Sequence, residues 1–102
     1  MSRVAFVTLR YCHRAAAASH LDGHRAWLRD GLQRGLVLLA GGLDDEAGGA
    51  LLVRADDPQA LRAFIDADPF VVHRVVEASI APMTPALAAP PLAWILEDGR
   101  VD

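Results

Sequence analysis

Lysine is absent from this chain of 102 residues, cysteine occurs once, and only 6% of the residues are aromatic. The ten basic residues are all arginines, scattered from Arg3 to Arg100, and thirteen acidic residues outnumber them to give a net charge of −3. Without a continuous positive stripe to neutralise phosphates, nucleic acid is not an expected partner. A lone Cys12 permits no intramolecular disulfide, fits a reducing compartment, and has no recognisable activating group, so it reads as inert. No apolar run approaches the ~20 residues of a membrane helix, and Met1 to Phe6 is too short for a signal peptide. These absences make a cytoplasmic protein without a membrane partner the expectation.

What is present is hydrophobic material, 53% of the residues against 23% charged, enough to drive burial and folding. The length suits one domain, because cores of this size do not divide well. Val4 to Leu9 is rich in β-branched and aromatic residues and apolar on both alternating sides, as expected of a strand that needs cover on both faces. Tyr11 to Ala18 reads as a connection, with Ser19 and Asp22 at the spacing of a helix start. Leu21, His24, Leu28 and Leu32 then recur as one helical stripe facing the core, with Trp27 beside it and Arg25, Arg29 and Gln33 turned away. Gly31 is unfavourable within a helix by about 1 kcal/mol and marks close packing. Gly35 is placed to close the helix in the left-handed conformation.

Leu36 to Ala40 and Ala50 to Arg54 read as a strand pair. The loop between them, with Gly41-Gly42, an acidic turn at residues 44–46 and Gly48-Gly49, is longer than a tight two-residue turn. The glycine pairs do not follow a strand and open a helix, so they are not a phosphate-binding fingerprint. Asp57-Pro58 opens a second helix, whose buried stripe is Leu61, Phe64 and Ile65, and Pro69 stops or restarts it. A last strand is centred on Val75 to Ile80.

The order strand, helix, strand, strand, helix, strand predicts an α+β, ferredoxin-like antiparallel sheet with both helices on one face. Its other face is bare yet apolar, and a second sheet packed against it at ~10 Å is the economical cover, hence an expected homodimer. Residues 1–84 form this domain. Residues 85–102 begin as a proline-containing linker, and Leu92 to Leu96 is expected to dock as an added strand or arm on its own domain or its partner.

The run His24-Arg25-Ala26-Trp27-Leu28, then Gly35-Leu36-Val37-Leu38-Leu39-Ala40-Gly41-Gly42-Leu43, then Ala67-Asp68-Pro69-Phe70 resembles the YCII-related (YciI-like) family in content and spacing. The resemblance covers roughly residues 3 to 84 and leaves the C-terminal extension outside. It implies a fold similar to the dimeric α+β barrels, and it implies that His24 and Asp68 form a catalytic pair. The wider fold group includes isomerases, lyases and cofactor-free oxygenases acting on small aromatic or lactone compounds.

Such a pair is chemically sensible, since imidazole takes and returns protons near neutral pH and a carboxylate on its other nitrogen fixes the tautomer. Taken without the resemblance, His24 reads more readily as a hydrogen-bonded, partly buried residue than as a catalyst, and Asp68 also reads as the cap of a short turn opened by Pro69. The cap and the pair are compatible. Tyr11 could line the same cavity and bind a ligand, or simply pack at the strand end. His73 is a further ligand-binding candidate, and with His24 and Asp68 it raises a metal site, but no close ligand pair is present and no metal is expected. His13 and His20 read as exposed.

These readings predict a small enzyme without a cofactor, using His24 as general acid or base and Asp68 to orient it, on a small apolar or aromatic compound. Isomerisation, elimination and hydrolysis stay open. The alternative is a non-catalytic dimeric module that binds a small molecule or assists another protein. A His24–Asp68 contact at the wall of a solvent-connected pocket separates the two.

Overall fold

A computed structural model describes residues 3–96. Strand β1 (Val4–Tyr11) leads through a 3₁₀ turn at Arg14–Ala16 into helix α1 (Ala17–Gln33). The hairpin of β2 (Val37–Gly42) and β3 (Gly48–Arg54) follows, then α2 (Pro58–Asp66), the single turn α3 (Pro69–Val72) and β4 (Val76–Met83). The four strands pair antiparallel in the order β2-β3-β1-β4. This is the ferredoxin-like α+β sheet anticipated from the order of elements.

Alternation along the strands divides the sheet cleanly. Ala5, Val7 and Leu9 of β1 pair with Val53, Leu51 and Gly49 of β3. Together with Val37 and Val76 they meet Trp27, Leu61, Phe64, Ile65 and Phe70 in one buried cluster beneath the helices. The opposite face carries a row across all four strands, in which Leu39 pairs with Leu52, Leu52 with Phe6, and Phe6 with Ala81. Phe6 is 53% and Leu39 59% exposed, so this face lacks apolar cover within one chain.

The start of α1 corrects the expected one. Ala16, not Ser19, occupies the cap position, and no side chain bonds there. The helix begins upstream because Ala15 to Ala18 are the best helix formers, and the 3₁₀ turn, closed by Ala16 N–H donating to His13 C=O at 3.0 Å, supplies the entry instead of a capping side chain. The core-facing line is also rotated from the expected one: Trp27 and Gly31 are buried while Leu32 is 47% exposed. The other end closes as expected, with Gly35 at φ 73°, its N–H donating to Leu32 C=O and that of Leu36 to Gly31 C=O. That is the two-bond glycine closure of a helix.

Gly31 is where α1 comes closest to its neighbours. A Cβ there would lie 2.6 Å from the Phe64 ring and 2.7 Å from a Val37 methyl. Trp27 reinforces the same contact by donating its indole N–H to Phe64 C=O at 2.9 Å. Replacing Gly31 by alanine sets a helix-propensity gain of about 1 kcal/mol against overpacking of about 1–3 kcal/mol. The expected result is net destabilisation, read as a lower urea midpoint at unchanged slope; a variant more stable than the parent would show that the contact has slack.

The last strand runs to Met83, beyond its expected centre, because β4 pairs with the whole of β1 from Tyr11 back to Val4. Past it, Pro90–Ile95 is a 3₁₀ turn rather than a strand. Ile95 and Leu96 are buried, and the Arg54 guanidinium lies 4.7 Å from the Trp94 ring centre. Val4, which pairs with Arg54, is buried too, so the extension lies at that end of the open face. The part of the extension expected over residues 97–102 lies outside the described residues.

Candidate active site

Two local devices position the site. Asp68 and Pro69 separate α2 from α3, with proline at the first helical position where no amide is needed. Asp68 caps that turn, its Oδ1 accepting the Phe70 N–H at 3.0 Å. On α1, Gly23 lies against Pro69, where a Cβ would sit 3.1 Å from the proline ring. The missing side chain lets the two helices approach, and the next residue on α1 is His24.

His24 Nδ1 lies 2.8 Å from Asp68 Oδ1, and the imidazole stacks on the Phe70 ring with centroids 4.1 Å apart and planes 4° from parallel. Asp68 is fully buried and the His24 side chain is 13% exposed. A carboxylate only accepts, so Nδ1 carries the hydrogen and donates it, which leaves the Nε2 lone pair available. Among the described residues, Nε2 has no protein partner. Asp68 Oδ1 therefore serves both the cap and the histidine, while its Oδ2 is buried without a partner.

The ring forms part of the wall of a cleft of about 390 Å³ between α1 and the glycine-containing end of the hairpin. That size lies within the usual range for small-molecule sites. Leu9, Leu28, Phe70 and Val76 make it largely apolar, and Tyr11 lines it from the end of β1. Tyr11 also receives the Arg14 guanidinium 5.0 Å over its ring. His73 does not line the cleft; it is exposed and stacks on His20 at 3.9 Å. The structure thus brings His24, Asp68 and Tyr11 to one region and leaves His73 outside it. No group of three or more His, Cys, Asp or Glu among the described residues is arranged to hold a metal ion.

Two contributors escape the reading of the sequence. Arg25 lines the cleft although helical periodicity turned it away; its spacing of four from Leu21 and three to Leu28 was the available signal. Gly23 carried none, because a close helix approach leaves no local trace.

No helix among the described residues is long and apolar enough to cross a membrane, and no curated protein is similar to this chain at the sequence level. One solved structure that it resembles is 5-chloro-2-hydroxyhydroquinone dehydrochlorinase from Burkholderia phenoliruptrix AC1100 in complex with 2,5-dihydroxybenzoquinone. The likeness has a TM-score of 0.53 at 17% identity and covers 82% of this chain and 95% of that one, so it speaks for the fold. The model of the YCII-related domain matches residues 4–84. That span contains the whole sheet, the three helices and the cleft, and the chain belongs to the family of YCII-related domains.

Proposed function

We propose that this protein is a small-molecule enzyme in which His24 Nε2 removes and returns a proton and Asp68 holds the imidazole in the competent tautomer. The observation that carries this reading is the 2.8 Å bond from His24 Nδ1 to a fully buried carboxylate, at the wall of a cleft large enough for a ring compound. A base oriented by a second group, with its free nitrogen on an apolar cleft, is the arrangement that proton abstraction requires. A receptor would need Asp68 only as the cap of α3 and not as the partner of His24. The reaction class supported best is elimination or isomerisation of a small cyclic compound without a cofactor, since both begin with a base taking a proton from the substrate. Isomerisation returns that proton at another atom, whereas elimination forms a double bond as a leaving group departs from the adjacent atom with its electron pair, and the proton is passed on to water. The dehydrochlorinase of similar fold is an eliminating enzyme found with a quinone, which favours elimination within that pair.

The test is a turnover screen of halogenated and hydroxylated single-ring compounds with the intact protein, following halide release and ultraviolet absorbance. Turnover of at least one compound is expected. Ligands that bind in a thermal-shift assay without any turning over would instead favour the receptor reading.

The working unit is a homodimer joined through the open face of the sheet. The apolar row through Leu39, Leu52 and Phe6 is the support for this, because burying large side chains contributes about 1.5–3 kcal/mol each and one chain leaves Phe6 and Leu39 half exposed or more. Replacing Phe6 by glutamate would place a carboxylate in the centre of the joint. A monomer by light scattering at micromolar concentration, with native circular dichroism, is the expected result; a dimer unaffected by the change would assign the contact to another surface.

A further inference from the structure

Arg25 is an exposed residue of α1 that also lines the cleft. Leu21, Arg25 and Leu28 follow one another at four and three residues, so they share a face of α1, and all three line the cleft. Arg34, just past the end of α1, and Arg62 on α2 each pair with an aspartate four residues away, whereas Arg29, which does not line the cleft, pairs with none among the described residues. Arg25 makes no hydrogen bond or ion pair among the described residues, although Asp22 stands three residues before it on the same helix. Its guanidinium is thus without a protein partner among the described residues, and the residue is exposed to solvent.

The charge of the cleft points the same way. Acidic residues outnumber basic ones thirteen to ten in the chain, yet no aspartate or glutamate lines the cleft. Asp68 is fully buried and engaged with His24. The only formal charge on the wall is therefore positive, and an anion entering the cleft meets no lining carboxylate to repel it. On the hairpin side, Gly42 also lines the cleft. It pairs with Gly49, the helix-side partner of Leu9, and a Cβ on Gly42 would meet nothing nearer than Gly48 O at 4.0 Å. Glycine weakens a strand, and packing does not require it at this position; its effect is to leave room.

We infer that the cleft takes a small, flat organic anion, a carboxylate on a single ring, with Arg25 as its anion-binding residue and Gly42 leaving space for the ring. This deepens the reading of His24 as the base and rests on it for the reaction, while the recognition of charge belongs to Arg25 alone. A guanidinium offers a planar fork of donors that matches a carboxylate in two parallel bonds, which selects the anion over a neutral isostere.

Calorimetric titration of the full-length protein with benzoate and with benzamide tests the inference, because the two probes share a shape and differ in charge. Benzoate is expected to bind at least about tenfold more tightly. Arg25→Gln should abolish that preference and leave benzamide binding unchanged; Arg25→Lys should retain part of it. Gly42→Leu should weaken both probes alike. Benzoate that binds no better than benzamide, including by not binding at all, overturns the inference, as does a preference that survives in Arg25→Gln. The His24→Asn variant is expected to keep the anion preference whatever happens to turnover. Failure of the base and failure of the anion site are therefore read separately.

Discussion

Replacing His24 by asparagine is expected to lower turnover by roughly 10²- to 10⁴-fold, the usual contribution of a positioned general acid or base. Asparagine is the informative choice because its side-chain amide reaches about as far as Nδ1 and can still donate to Asp68 Oδ1, so the bond between α1 and α3 is retained. What disappears is the Nε2 lone pair facing the cleft and the stacking on Phe70, the latter worth about 0.5–1.5 kcal/mol of stability. The variant should therefore fold, with a modest fall in midpoint, and bind ligands while failing to convert them. Measuring kcat beside near-ultraviolet circular dichroism separates these effects. A folded variant with parental kcat would remove the imidazole from the mechanism.

Asp68 has two duties, and substitutions should split them. Alanine removes the acceptor for Phe70 N–H and for His24 Nδ1 together. Loss of a helix cap is worth about 0.5–2 kcal/mol and loss of a hydrogen bond to a charged group about 1.5–3 kcal/mol. Removing a carboxylate whose Oδ2 is buried without a partner offsets part of this, and a net destabilisation of about 2–4 kcal/mol is expected. Asparagine keeps a carbonyl oxygen that can accept from both donors, so its fold should be better preserved. It withdraws the negative charge that stabilises an imidazolium and leaves its NH₂ where Oδ2 has no hydrogen-bond partner. Turnover should fall in both variants, by roughly 10²-fold or more, while chemical denaturation ranks alanine well below asparagine. Parental turnover in Asp68→Asn would reduce Asp68 to a cap.

Much of the fold was legible because its signals are short-range. Asp57-Pro58 does open α2, with Asp57 Oδ1 accepting from the Gln59 and Ala60 amides, and Pro69 does restart the chain as α3. Gly35 closes α1 through bonds spanning a few residues. Ser19 misled because a capping spacing competes with an alanine run, and four strong helix formers with a 3₁₀ entry need no cap. Arg25 misled because periodicity reports which side of a helix is apolar, and here a charged residue lies within the cleft-facing side. The shape of that side depends on where the hairpin ends, a property of the sheet and not of α1.

The residues alone determined the element order, the antiparallel sheet with its helices on one face, and the apolar character of the other face, since propensity, capping and alternation act between neighbours in the chain. Only the tertiary structure decided that an imidazole and a carboxylate 44 residues apart share a hydrogen bond, that Arg25 faces the cleft, and that His73 is excluded from it. Those outcomes depend on how closely α1 can approach α3 and β2, and that distance is set by two glycines packed against Pro69, Phe64 and Val37.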